Sequence, residues 1–359
     1  MSSDGATPAT GTIVPETPVQ VRLGVIGAGW FVSRRHLPDA MTIDEVVLTS
    51  LCRRDGEARA TMESHFGLAP GSGFDDWRAM LDQAPLDAVL IATPNYLHYE
   101  QAKAALEHGL HVLIEKPMTI RSEHARELVA LAHERGLKLA VALNPPYWAH
   151  CHRAKRALQG EKMGTFEGAA MFWTGSNAHL FGRSPRPDKL PGVVPPTDYR
   201  ADPEQNGGGF FADAGPHLIS ELLWLTGLRA KRVSALMDSV PDDMRVAICI
   251  EMSNGAMATI SSIGDSQLEQ RRIRNVFGSA NGTVSVIHQE FETHIQIKGM
   301  EPVKFREADL MRIANPVANF IDAILGRGEL FSPGRHGADV VEVIEAIYES
   351  ARTGRVVGL

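Results

Sequence analysis

The sequence predicts an α/β chain in two parts: a doubly wound parallel sheet, then an α+β domain with an antiparallel sheet. Apolar, strand-like runs alternate with helical stretches from Val21 to about Leu143, the pattern of successive βαβ units. Several of those runs are apolar throughout, as strands covered on both faces must be. Beyond residue 150 the character changes, and Asn-Gly pairs stand between alternating segments, which signals hairpins.

The elements follow in order. Residues 1–20, "MSSDGATPATGTIVPETPVQ", are small, polar and proline-containing. They read as a disordered or extended tail, without the basic start and apolar core of a secretory signal. Strands are expected at "VRLGVIG", "EVVLTSLC" (45–52), "LDAVLIATP" (86–94), "HVLIEKP" and "KLAVALN" (138–144). Helices are expected over 31–40, 55–66, 75–83, 96–108 and 122–135, the last with Ser122 as N-cap and Gly136 past its end. A first domain over 21–146 results. The second, 147–359, opens with a helix (148–159) and the strand "TFEGAAMFW". An irregular Gly/Pro-rich stretch (175–209) leads to a helix over 213–226, ended by Gly227. Strands with turns at Asp242, Asn254-Gly255 and Asn281-Gly282 fill 231–305, and helices at 312–326 and 335–352 close the chain.

Composition narrows the function classes. The 359 residues carry a formal charge of −7, so nothing favours nucleic acid, whose partners show a basic patch. No apolar run is long enough to span a membrane. Cys52, Cys151 and Cys249 fit no zinc or disulfide spacing. Cys52 and Cys249 read as buried thiols and the compartment as a reducing cytoplasm. No metal is expected.

The chemistry starts at "LGVIGAGWFV". Gly27 and Gly29 fit the first two glycines of G-x-G-x-x-G, between a strand and a helix, where backbone N–H groups cradle a pyrophosphate. The third position is Val32. Trp30 and Phe31 follow the turn and join the expected cofactor contacts. In an open parallel sheet ligands bind beyond the strand carboxyl ends. That rule adds Thr93, Pro94, Asn95 and His98 from "IATPNYLH", and Glu115 and Lys116 from "EKP"; Asn95 reads equally as a cap for helix 96–108. After the second strand the chain reads Arg53, Arg54, Asp55. An acidic residue there would hold the NAD ribose and an arginine the NADP 2′-phosphate. Arg53 and Arg54 therefore select NADP, with NAD the alternative if Asp55 takes that place.

Taken alone, Lys116 reads as a turn lysine beside Glu115. Pro117 pins its backbone, however, and "GGGFFADAGPHLISELLWLTG" (207–227) supplies partners. Asp213 and His217 are four apart, hence on one helix face. Pro216 belongs in a first turn, so the helix should begin near Asp213. Asp213 could then be an N-cap and His217 a core histidine. The catalytic reading is an acid–base histidine beside a carboxylate, with a lysine on the reacting oxygen. Asn144, Tyr147 and Trp173 complete the expected substrate contacts with Asp213 and His217.

With these pieces in place, the sequence resembles the Gfo/Idh/MocA family, relatives of glucose–fructose oxidoreductase and inositol dehydrogenase. "GVIGAGW...HLP", "IATPNYLH", "EKP" and the 207–227 segment carry the resemblance over residues 24–227. It implies a Rossmann domain and a second domain with an open, mainly antiparallel sheet that serves oligomerisation, as a homodimer or homotetramer. It implies Lys116, Asp213 and His217 as the catalytic group and a cis Lys116–Pro117 peptide. The expected reaction is hydride transfer between a nicotinamide cofactor and a sugar, polyol or glycoside hydroxyl or ketone. A non-catalytic cofactor-binding sensor and a glycoside cleavage that begins with the same oxidation are the rival readings. This chain departs from the family at Val32, at "NPPYWAH", where an arginine is usual, at Ser220, where Asp is usual, and in its long 175–206 stretch. That stretch mixes Arg183, Arg186, Lys189 and Arg200 with Asp188, Asp198, Asp202 and Glu204, which leaves the substrate open.

Overall fold

A computed structural model describes residues 19–186 and 192–359. The expected tail over 1–18, and Asp188 and Lys189, lie outside the described residues. The first sheet contains β1 (Val21–Ile26), β2 (Val46–Cys52), β3 (Gly73–Phe74), β4 (Ala88–Ile91), β5 (His111–Ile114) and β6 (Leu139–Val141). Its order is β3-β2-β1-β4-β5-β6, and every pair is parallel. The order reverses between β1 and β4, which places a crevice at their carboxyl ends. The apolar runs are explained by burial on both faces: all four residues of β4 are 0–1% exposed. Helices α1 (Trp30–Arg34), α2 (His36–Ala40), α3 (Gly56–His65), α4 (Trp77–Gln83), α5 (His98–Glu107) and α6 (Ser122–Glu134) connect the strands.

Several expectations are corrected. The helix over 31–40 breaks at Arg35, whose φ −130 and ψ −73 are not helical. Arg121, not Ser122, is the N-cap of α6; Ser122 instead donates to Glu345. The two-residue β3 was too short to show an alternating pattern.

The second sheet has nine strands: β7 (Phe166–Thr174), β8 (Ala230–Met237), β9 (Arg245–Met252), β10 (Met257–Ile263), β11 (Arg272–Ser279), β12 (Gly282–Ile287), β13 (Glu292–Ile297), β14 (Val303–Phe305) and β15 (Val357–Gly358). The order is β14-β13-β12-β11-β7-β10-β9-β8-β15. The β7–β10 pair is parallel and the other pairs antiparallel. Helices α7 (Ala149–Leu158), α8 (Pro203–Asn206), α9 (Phe210–Thr226), α10 (Pro316–Ile324) and α11 (Gly334–Thr353) belong to this half of the chain. One sheet face packs on buried residues of α7, α9 and α11. The other face is uncovered, with Phe172, Leu236, Met257 and Val276 exposed. Cys249 lies on that outer face and is exposed, because period-2 alternation in β9 sends it opposite to Ile248 and Ile250; the buried reading was wrong for it and right for Cys52. The segment 147–359 is not confined to this sheet. Val317, Phe320 and Ile321 of α10 enter the apolar core of β1 and β4. Among the described residues no helix is long and apolar enough to cross a membrane.

Helix α9 starts at Phe210, three residues before the expected place. Its first free N–H groups are met from elsewhere in the chain. Phe210 N–H donates to Asp243 O (2.7 Å) and Phe211 N–H to the Asp243 carboxylate (2.9 Å). Asp213 is therefore not the N-cap, and Pro216 sits inside the helix.

Candidate active site

The glycine turn is shaped as the sequence requires. Gly27 has φ +88, and a Cβ there would come within 2.7 Å of the Ala92 and Thr93 backbone. Only glycine fits. Gly29 is different: a Cβ would meet nothing nearer than Arg53 Nη1 at 3.5 Å. The protein itself leaves room there, which is what close approach of a pyrophosphate to the backbone demands. Arg53 lies against this turn, donating from Nη1 to Ala28 O at 3.2 Å, with Nε buried and without a partner. Burial lowers its pKa. Asp55 caps α3 by accepting from Ala58 N–H at 3.0 Å. Trp30 and Phe31 are half-buried in the first turn of α1, whereas Arg54 is exposed beyond β2. The residues present fit a dinucleotide.

At the ends of β4 and β5, Thr93 and Pro94 remain partly accessible. The side chains of Asn95 and His98 are buried and bonded within the protein. Asn95 is 2% exposed and its amide donates to Asn206 O (2.9 Å) and Oδ1 (3.1 Å). It ties the 175–209 segment to the first sheet rather than capping a helix. His98 is 0% exposed, with its ring nitrogens 2.8 Å from Pro117 O and 3.0 Å from Thr93 O. It clamps two strand ends together.

Lys116 turns away from Glu115. Its Nζ donates to Asp213 Oδ1 (2.7 Å) and Asp213 O (2.8 Å), and the Lys116–Pro117 peptide is cis. Glu115 pairs instead with His36 Nε2 at 2.6 Å. Burial alone would raise the Glu115 pKa, but the His36 bond and charge and the Lys116 charge hold it below the usual range. Arg200 adds a second cation to Asp213 through Nε at 3.1 Å. Burial opposes ionisation of Asp213, yet the Lys116 and Arg200 charges prevail and keep its pKa well below the carboxylate range.

His217 lies one helical turn beyond Asp213. Its ring is parallel to Trp173 (6.2 Å between centroids, 12°), and its Nδ1 receives a long 3.4 Å bond from Asn144 N–H. A bond of that length does not lock the tautomer. Burial, then the Lys116 charge, push its pKa down to about 3, so the ring is neutral at neutral pH. Trp173 is 7% exposed with Nε1 lacking a partner, and Arg271 stands 5.6 Å over its face. Tyr147 is buried and packs on Phe331 (6.0 Å), not on His217.

The structure thus brings together Lys116, Asp213, His217, Asn144 and Trp173. Sequence reasoning missed Arg200, Arg271 and His36 as members of this group. Only the "HLP" that carried the resemblance pointed near His36.

The neutral histidines make stability pH-dependent. His336, bonded to Ser220 Oγ at 2.8 Å, is also pushed down, to about 4, by burial. Below pH 6.5 the unfolded chain takes up protons that folded His217 and His336 do not. Stability is therefore lost as pH falls from 6.5 towards 4, by about 1.4 kcal/mol per pH unit per histidine. The urea midpoint at pH 4.5 should lie well below that at pH 7, and His336→Gln should flatten the difference. Equal midpoints for the parent protein would contradict this.

The comparisons agree with the geometry. A model of the "Oxidoreductase family, NAD-binding Rossmann fold" matches residues 21–143, and one of the "GFO/IDH/MocA C-terminal domain" matches 153–284. The D-glucoside 3-dehydrogenase of Escherichia coli (strain K12) is 24% identical over 368 residues, covering 96% of this chain and 99% of the relative. The scyllo-inositol 2-dehydrogenase (NADP(+)) IolU of Bacillus subtilis (strain 168) is 32% identical over 145 residues, 40% of this chain and 43% of the relative. The structure of an inositol dehydrogenase homolog complexed with NAD+ from Azotobacter vinelandii superposes with a TM-score of 0.83 at 20% identity, over 96% of this chain and 98% of that one. Two family models in the right order, on a Rossmann sheet with a glycine turn and a mixed second sheet, place this chain in the Gfo/Idh/MocA family of oxidoreductases.

Proposed function

We propose that the protein is an NADP-preferring dehydrogenase that oxidises a hydroxyl of a sugar, polyol or glycoside, with Lys116, Asp213 and His217 as its reacting group. The observation that carries this is the Lys116 Nζ–Asp213 Oδ1 bond of 2.7 Å at the carboxyl end of β5, with His217 on the same helix face. The nicotinamide, when bound, supplies the hydride acceptor. Lys116 donates a hydrogen bond to the substrate oxygen and stabilises negative charge on it. His217 Nε2, which has no hydrogen-bond partner among the described residues, takes the hydroxyl proton. Burial first and the Lys116 charge second lower its pKa to about 3 and make it a weak base before substrate reacts. Negative charge growing on the substrate oxygen offsets the Lys116 charge and strengthens it as the reaction proceeds. Asp213, held by Lys116 and Arg200, fixes the lysine's direction. Trp173 packs against the His217 ring and helps to orient it, and its Nε1–H is left without a partner.

The cofactor preference rests on Arg53. Asp55, the carboxylate that follows β2, caps α3 through Oδ1. Arg53 lies over the glycine turn with an unpartnered Nε, and a guanidinium matches phosphate geometry. The expected result is a higher kcat/KM for NADP than for NAD, reversed or equalised in Arg53→Asp. A parent preference for NAD, or an unchanged ratio in the variant, would overturn this assignment.

A further inference from the structure

One turn beyond His217 along α9, a second polar group lies in the core of the second sheet and plays no part in the mechanism above. His150 and Cys151, in the first turn of α7, are 1% and 0% exposed; His288, just past β12, is 6% exposed. One ligand atom from each of the three lies within 4.8 Å of the others. His150 Nε2 and His288 Nδ1 are 3.0 Å apart. The far nitrogen of His288 faces Glu221 Oε2 at 2.8 Å, and Asn275 donates to the same oxygen at 2.8 Å.

The His150–His288 contact is a hydrogen bond as it stands, but the three side chains converge closely enough for one ion to replace it. In a tetrahedral zinc site with bonds of about 2.0–2.3 Å, neighbouring ligand atoms lie roughly 3.3–3.7 Å apart. The histidine pair, at 3.0 Å, would open slightly to reach that spacing, and the Cys151 thiol lies within 4.8 Å of both. The carboxylate on the opposite side of the His288 ring fixes its tautomer: Nε2–H donates to Glu221, so Nδ1 presents its lone pair to His150. Metal-bound histidines are oriented by a carboxylate in this way. A closed hydrogen-bond network would satisfy its members, but here Glu221 Oε1 is buried without a partner. The Cys151 thiol has no hydrogen bond among the described residues. The turn behind His288 is also strained. Phe291 has φ 50, costly for a residue with a Cβ, and its ring packs 5.3 Å from His150.

We propose that His150, Cys151 and His288 bind one borderline-soft divalent ion of the zinc class, with Glu221 positioning His288. Imidazole and thiolate ligands favour that class over magnesium or calcium. The ion joins α7 to the segment after β12 and, through Glu221, to the helix that carries His217. The ligands come from elements far apart in the sequence, so no cysteine–histidine spacing announces them.

The test uses the full chain and two probes, zinc and cobalt(II). The purified protein, passed over a desalting column, should carry about one zinc per chain by mass spectrometry. Cobalt(II) exchanged into it should give a near-ultraviolet thiolate-to-cobalt charge-transfer band together with visible d–d bands. Cys151→Ser should abolish the near-ultraviolet band, and Glu221→Gln should keep it while weakening metal affinity by ~10–100-fold. His150→Gln, checked for folding by circular dichroism, should lose stoichiometric binding. The proposal is overturned if the folded parent chain takes up neither ion in stoichiometric amount, or if the band persists in Cys151→Ser.

Discussion

Lys116→Ala and His217→Ala should each lower kcat by ~10²–10⁴-fold, the range expected for removing a positioned acid–base group, while dinucleotide affinity stays near that of the parent protein. The two variants remove different things. Lys116→Ala deletes the donor to the substrate oxygen but leaves Asp213 its second cation, Arg200, at 3.1 Å, so no buried carboxylate is stranded and the fold should persist. It also removes the second-largest cause of the depressed His217 pKa, so the histidine should titrate nearer its usual value. His217→Ala keeps the Lys116–Asp213 pair and removes the proton acceptor. Either variant at near-parental kcat, with intact folding, would sink the assignment of that residue.

Gly29→Val should abolish dinucleotide binding measured by calorimetry or by quenching of protein fluorescence. The reasoning is local. The first Cβ atom at position 29 finds room, with Arg53 Nη1 at 3.5 Å, so the chain tolerates a side chain and should still fold. Its methyl groups would occupy the place where a pyrophosphate meets the N–H groups at the start of α1. Gly27→Ala is the instructive contrast. It forces a Cβ to 2.7 Å from the Ala92 and Thr93 backbone at φ +88, so it should damage the fold as well as the site. Unchanged affinity in Gly29→Val would place the cofactor elsewhere.

The parts of this molecule that local rules govern were legible. Continuous apolar strands, the turn at Gly27 and Gly29, and the strand-end position of Lys116 follow from the period of the chain and from where parallel sheets leave a crevice. The i, i+4 spacing placed Asp213 and His217 on one face because a helix interior has a fixed geometry. The start of that helix was not legible. Its cap is Asp243, from the turn between β8 and β9, and a cap supplied from across the fold leaves no mark in the helix's own sequence. Arg200 was hidden for a related reason. It lies in the irregular stretch before α9, whose path is set by distant contacts: Asn206 receives the Asn95 amide, and Val193 N–H donates to Ser33 Oγ at 3.1 Å. The same contacts explain why Asn95 does not cap the helix that follows it: its amide is held by Asn206. Cys249 sits in an apolar run whose period does not reveal its exposure, because β9 buries only one of its two faces.

The central claim is hydride transfer between a nicotinamide and a carbohydrate hydroxyl at the Lys116–Asp213–His217 group. The most direct measurement is the absorbance at about 340 nm of the enzyme with NADP+ or NAD+ and a panel of sugars, inositols and glycosides, run beside Lys116→Ala. The account predicts that at least one compound reduces the cofactor, and that the signal collapses in the variant. Tight dinucleotide binding with no reduction by any member of the panel, and no oxidation of the reduced cofactor by the corresponding ketones, would contradict it and favour a cofactor-binding sensor.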